Sequence, residues 1–76
     1  MKTNMISERR KRYIINNIVA LKTYCGFPIN RICDHINYNE EELAYVRDIW
    51  NLIPDYQTIL LRKDLDVVFE KCLNVK

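Results

Sequence analysis

The 76-residue sequence predicts an all-α fold, a single domain of four helices that spans residues 1–76. One glycine and two prolines are too few for the many tight turns of an all-β domain. Apolar residues recur at helical spacing in four segments, and residues that cap or stop helices bound each segment. A chain this short buries only about 60% of its unfolded surface, so we expect one small core and no second domain.

The first helix is predicted from Glu8 to Cys25. Ser7 suits the N-cap position, because its hydroxyl can accept a hydrogen bond from a free backbone N–H of the first turn. Gly26 suits the left-handed position after the last turn, and Pro28 would then stop the helix. The stripe that we expect to face the core consists of Ile14, Ile15, Ile18, Val19 and Leu21.

Two further helices are predicted between Pro28 and Pro54. The second helix begins with Pro28, whose missing N–H costs nothing in a first helical turn, and it directs Ile29, Ile32, Cys33 and Ile36 inward. The third helix begins after Asn39, which has the capping-box spacing to Glu42, and it ends before Pro54. Its expected buried face consists of Leu43, Val46, Trp50 and Ile53, and we predict that Trp50 is largely buried.

The fourth helix is predicted from an N-cap at Asp55 to about Asn74, which places it within residues 55–74. Its apolar stripe consists of Ile59, Leu61, Leu65, Val68, Phe69, Cys72 and Leu73. Leu60 and Val67 lie seven residues apart and off this stripe. We therefore expect a homodimer in which these two residues of the fourth helix form the contact.

The second and third helices and the tight joint between them have a further pattern, within residues 28–53. Apolar residues occur at the positions that a helix-turn-helix unit must bury, namely Ile32, Ile36, Tyr38, Leu43 and Val46. Cys33 is small where the two helices approach, and Asn37 tolerates the positive φ that the turn requires. The segment PINRICDHINYNEEELAYVRD resembles the helix-turn-helix superfamily found in bacterial and phage DNA-binding regulators.

This resemblance implies that the third helix enters the major groove of DNA. Asn39 and Tyr45 would then face the base edges, with Arg31 and Arg47 beside them. The charge pattern adds a second feature, since five cations and one anion fall within residues 1–12 although the whole chain has a net charge of only +2. The run Arg9, Arg10, Lys11 and Arg12 would bind backbone phosphates.

Two functions therefore remain open. One is a small DNA-binding transcriptional regulator of a phage, virus or mobile element, with double-stranded DNA as its partner. The other is a small helical protein of similar origin that binds and inhibits a host protein of the replication, transcription or defence machinery. Ten isoleucines and eight asparagines against two alanines favour such an origin, because AT-rich coding produces this bias. We expect that Tyr13, Tyr24, Tyr45 and Tyr56 cannot all be buried together. Exposed tyrosines would suit the second function, since tyrosine is enriched at interface hot spots.

Other classes of function are disfavoured. No residue pattern suggests catalysis, so we expect no enzyme, no cofactor and no small-molecule substrate. The spacing of Cys25, Cys33, His35 and Cys72 matches no usual metal site. Three widely spaced cysteines indicate a reducing environment rather than a disulfide scaffold, and no apolar run is long enough for a membrane span. We therefore expect the protein in the cytoplasm of a host cell.

Overall fold

The computed structural model describes residues 6–75, apart from the side chain of His35, and these residues form four α-helices and no β-strand. The helices are α1 (Glu8–Ile18), α2 (Ile29–His35), α3 (Glu40–Ile49) and α4 (Arg62–Leu73). The predicted all-α fold is confirmed. Within residues 6–75, no helix is both long and apolar enough to cross a lipid bilayer.

The first helix begins and ends where its local sequence predicts. The Ser7 hydroxyl accepts a hydrogen bond from the Arg10 N–H at 3.1 Å, and Gly26 has a φ of +75°. Its last part, Val19–Tyr24, is a π-helix that continues α1 without a break. The wider π-helical turn brings two adjacent polar side chains, Lys22 and Thr23, into the interior.

The third helix has the predicted capping box. Asn39 Oδ1 accepts from the Glu42 N–H at 2.8 Å, and Glu42 Oε1 accepts from the Asn39 N–H at 3.1 Å. Its predicted core face is only partly right. Val46 and Ile53 are buried, but Leu43 and Trp50 are only partly buried, and Tyr45 and Ile49 take the central positions.

The prediction of a largely buried Trp50 is therefore only partly met, because Trp50 is partly buried against the core. Regular α-helical geometry stops at Ile49, and a single 3₁₀ turn, Trp50–Leu52, follows. Trp50 therefore lies at the edge of the core, where its ring stacks under the Lys22 ammonium at 4.5 Å.

The predicted start of the fourth helix is wrong, because α4 begins at Arg62 rather than after Asp55. A turn closed by the Thr58 N–H and the Asp55 carbonyl at 3.1 Å interrupts the predicted helix. Ile59 and Leu61 are consequently exposed rather than in the core. Leu60 precedes α4 and packs against the core, so it does not share a helix face with Val67 as the dimer prediction assumed.

The core forms around α1, which packs against both α3 and α4. The Tyr45 hydroxyl donates to the carbonyl of Cys72 at 2.8 Å and so ties α3 to the end of α4. The buried apolar residues are Ile14, Ile15, Ile18, Val19, Ile32, Tyr38, Tyr45, Val46, Ile49, Ile53, Val68 and Cys72.

Candidate interaction surfaces

Arg10, from the basic run, is held against α3 with its side chain 40% exposed. Its Nε donates to Glu42 Oε2 at 2.6 Å, and its guanidinium lies 4.9 Å from the ring centre of Tyr13 and 5.7 Å from that of Tyr38. The hydrogen bond from Arg10 lowers the pKa of Glu42 and raises the pKa of Arg10 itself. Arg10 therefore joins α1 to α3 and is not a free ligand for phosphate.

The other cations of this run differ in their surroundings. Arg12 donates two hydrogen bonds to the Glu8 carboxylate, both at 3.1 Å, along the same face of α1. Lys11 is half-buried with its ammonium 5.4 Å from the ring centre of Tyr45. Arg9 is exposed, and its side chain has no hydrogen bond or ion pair within the described residues. Two of the four cations expected to bind phosphates thus have a carboxylate partner within the chain, although the pair of Arg12 and Glu8 is exposed. Residues 1–5 of the basic end lie outside the described residues.

Tyr45 does not lie on the surface that was expected to face DNA bases. Only 3% of it is exposed, and burial raises the pKa of its hydroxyl, which donates to the Cys72 carbonyl. Tyr45 follows Glu42 by three residues, so it shares the inner face of α3 and cannot contact a base from there. The outer face of α3 carries Glu40, Ala44, Arg47 and Asp48.

The joint between α2 and α3 differs from the expected turn. Among the described residues, positive φ angles occur at Gly26 and Gln57 but not at Asn37. Asn39 is exposed, but its side chain is engaged in the cap of α3. Arg31 is exposed on α2 and lies 4.5 Å over the ring of Phe27. Of the apolar positions in the helix-turn-helix resemblance, Ile32, Tyr38 and Val46 are buried, while Ile36 and Leu43 are half-buried.

A different surface lies along the outer side of α1 and its π-helical extension. Its exposed residues are Tyr13, Asn16, Ala20 and Tyr24, which we call the tyrosine face. Tyr13 is 53% exposed and Tyr24 is 56% exposed, and no exposed charged side chain lies between them. Neither hydroxyl has a hydrogen-bond partner within residues 6–75. Both tyrosines belonged to the set that the sequence predicted could not all be buried.

Near the end of this helix, Lys22 binds the segment from Trp50 to Asp55, which we call the corner. Its ammonium donates to the carbonyls of Trp50 at 2.7 Å and Ile53 at 2.8 Å, and it lies 3.7 Å from a carboxylate oxygen of Asp55. Lys22 is 9% exposed, and burial lowers its pKa. No spacing rule in the sequence marks this lysine as an interior residue, so sequence reasoning missed it.

A second set of contacts fixes the chain that follows this corner. The Thr23 hydroxyl donates to the Pro54 carbonyl at 2.7 Å, and the Gln57 N–H donates to the Thr23 carbonyl at 2.9 Å. Gln57 has a φ of 70°, a left-handed conformation that non-glycine residues adopt at a cost. The turn at residues 55–58 is therefore anchored to the end of the first helix.

An open groove of about 660 Å³ lies between the start of α1 and the last turns of α4. Phe69 and Leu73 contribute its apolar lining, and the carboxylates of Glu8, Asp66 and Glu70 outnumber its one cation, Arg12. This charge makes the groove a poor surface for a nucleic acid.

No family model matches the chain, and no curated protein or solved structure is detectably similar to it. Any function must therefore be inferred from the surfaces described above.

Proposed function

We propose that the chain is a small protein-binding domain that acts by occupying a surface of a host protein through its tyrosine face. The exposure of Tyr13 and Tyr24 on one side of a single helix carries this proposal. They are 11 positions apart in the sequence, which corresponds to roughly 16 Å along a helix. That span fits within one protein–protein interface of ordinary size, in which tyrosine is a frequent hot-spot residue.

The tyrosine face is also ordered before any partner binds. The Arg10 guanidinium packs over the Tyr13 ring, and the Glu42 carboxylate holds Arg10 in place. Tyr24 lies in a continuous helix, and the buried side chains of Lys22 and Thr23 fix the helix segment around it. Binding therefore costs little conformational entropy in this chain, which favours affinity.

A pull-down from lysate of a low-GC bacterial host tests this proposal when it is combined with surface variants. The wild-type chain should capture a host protein that stays bound after nuclease treatment. The double variant Tyr13→Ala/Tyr24→Ala should not capture this protein. Tyr56→Ala is the matched control, because Tyr56 is 55% exposed but lies outside the tyrosine face, and it should retain the protein. Circular dichroism would show that all three chains are equally helical. Equal capture by the double variant would contradict the proposal.

DNA binding is a second candidate function, because Arg9 and Arg47 are exposed and have no partner within residues 6–75. The ion pairs at Arg10 and Arg12 reduce the expected contribution of the basic run. If only Arg9 and Lys11 reach phosphates, this run should contribute a slope of about −1.8 in log affinity against log salt, since each phosphate contact contributes about −0.9. With all four cations free, the expected slope is about −3.6.

Duplex binding measured between low and physiological salt distinguishes these cases. Arg9→Gln/Lys11→Gln should flatten the slope by about 1.8, whereas Arg12→Gln should leave it nearly unchanged because Arg12 already has a carboxylate partner. Absence of duplex binding at low salt would reject this second candidate and would leave the protein-binding proposal intact.

A further inference from the structure

We propose that residues 58–61, which we call the apolar edge, pair in antiparallel fashion with the same residues of a second copy of this chain. Ile59 is 85% exposed and Leu61 is 57% exposed, while Leu60 between them packs against the core. This alternation of outward and inward side chains is the pattern of a β-strand that is covered on one side. Leu61 has an extended backbone, with φ −83° and ψ 166°.

The backbone of the apolar edge is available for pairing. The Thr58 N–H is used in the preceding turn, and the Leu61 N–H donates to Asp64 Oδ2 at 3.0 Å at the start of α4. Between them, the N–H and carbonyl groups of Ile59 and Leu60 have no partner within the described part of the chain. A short stretch with unpaired backbone groups and exposed apolar side chains is a template for strand addition.

The charges on either side of the apolar edge favour a second copy in antiparallel orientation. Asp55 precedes the uncharged stretch from Tyr56 to Leu61. Arg62 and Lys63 follow this stretch ahead of Asp64, whose carboxylate is already engaged by the Leu61 N–H. Antiparallel pairing brings the Asp55 end of each copy towards the basic end of the other. Parallel pairing would instead bring like charges together, which is unfavourable.

The apolar edge is also held in position before a second copy arrives. The Gln57–Thr23 hydrogen bond fixes its beginning, and the Leu61–Asp64 hydrogen bond fixes its end. This inference goes beyond the proposed function, because the apolar edge and the tyrosine face belong to different segments of the chain. A dimer would carry two tyrosine faces and so could bind a partner bivalently.

Sedimentation equilibrium from micromolar to millimolar concentrations tests the inference. The wild-type chain should show a reversible monomer–dimer equilibrium, and Ile59→Asp/Leu61→Asp should remain monomeric over the whole range. Val67→Asp is the matched control, because Val67 is 47% exposed on α4 and should leave the dimer unchanged. A wild-type chain that is monomeric at millimolar concentration would overturn the inference. Loss of the dimer in Val67→Asp alone would overturn it as well.

Two further variants test the orientation and the contact itself. Lys63→Asp should weaken the dimer on the order of tenfold, since it reverses two symmetric charge pairs, whereas Lys71→Asp should have little effect. Ile59→Cys in a Cys25→Ser background should form a disulfide-linked dimer under mild oxidation, and Val67→Cys in that background should not. Cross-linking through Val67→Cys alone would place the contact on α4 and overturn the inference. None of these measurements depends on the tyrosine face, so failure here leaves the proposed function standing.

Discussion

At the scale of single residues, Glu42 stabilises the fold through two connections that meet at one carboxylate. It closes the capping box of α3 with Asn39, and it accepts the hydrogen bond of Arg10 from α1. Glu42 is only 8% exposed, so its charge depends on Arg10 rather than on water. The stability of the whole domain should therefore depend on the protonation of this side chain.

We expect Glu42→Gln to lower the free energy of unfolding by about 1–2 kcal/mol at pH 7, because a charged hydrogen bond becomes a neutral one. The folded-state pKa of Glu42 is lowered, so its contribution is complete above the pKa of the unfolded chain and is lost as pH falls through the folded-state pKa. Urea unfolding of the wild type and the variant between pH 7 and pH 2 should therefore converge in acid. Glu40→Gln, on the exposed first turn of α3, should stay parallel to the wild type. A constant gap at every pH would contradict this account.

Gly26 is the second residue with a measurable constraint. Its φ of +75° disfavours any residue with a Cβ, and a Cβ there would lie 2.9 Å from the Cδ1 atom of Tyr56. The backbone conformation alone should cost an alanine at this position about 1–2 kcal/mol. Because the contact with Tyr56 adds to this cost, Gly26→Ala should lower the free energy of unfolding by more than that amount. Thermal denaturation of Gly26→Ala, Tyr56→Ala and the double variant separates the two causes. The double variant should recover the steric part, and strictly additive effects would exclude the contact with Tyr56.

At the scale of helices, the face that α3 turns to the core determines which substitutions matter. Ile49 is fully buried, whereas Trp50 lies at the edge of the core beneath Lys22. Ile49→Ala should lower the free energy of unfolding by about 2–5 kcal/mol. Truncating a fully buried tryptophan typically costs about 3–5 kcal/mol, and Trp50→Ala should cost less than this. Chemical denaturation of both variants checks this order. A larger loss for Trp50→Ala would mean that the indole contributes more than its position in the core suggests.

Helix boundaries were predictable where the signals that set them are local. Ser7, Gly26 and the Asn39–Glu42 pair act within one turn of the chain, and each occupies the predicted position. The start of α4 was not predictable in this way. Asp55 and Asp64 are both suitable near a helix start, and long-range hydrogen bonds from Lys22 and Thr23 hold the chain around Asp55 in a turn.

The candidate surfaces likewise differ in how far the sequence could predict them. Half-exposed tyrosines were expected because a domain of this size has no room to bury all of them. The apolar edge was not expected, because Ile59 and Leu61 fit a helical stripe that the structure does not contain. The neutralisation of Arg10 depends on Glu42, which is 32 positions away in the sequence, and no local pattern reveals that pair.

At the scale of the whole molecule, Lys22 connects the end of the first helix to the segment that follows α3. Lys22→Met keeps much of the side-chain volume but leaves the carbonyls of Trp50 and Ile53 without their donor. Because an unsatisfied buried polar group costs about 1–3 kcal/mol, we expect this variant to lose about 2–4 kcal/mol of stability. Calorimetry of Lys22→Met checks the value, with the exposed Lys71→Met as control. A melting temperature equal to that of the wild type would show that water replaces the ammonium at no cost.

The same buried amine gives the molecule an internal chemical reporter. Acylating reagents need an unprotonated and accessible amine, and in the closed corner the Lys22 ammonium is engaged with two carbonyls and largely covered. Acylation of Lys22 therefore has to wait until the corner opens, while the exposed Lys63 and Lys71 react at once. Its labelling rate, followed by mass spectrometry of the proteolytic peptide that contains Lys22, would measure how often the junction between the helices opens in the native state.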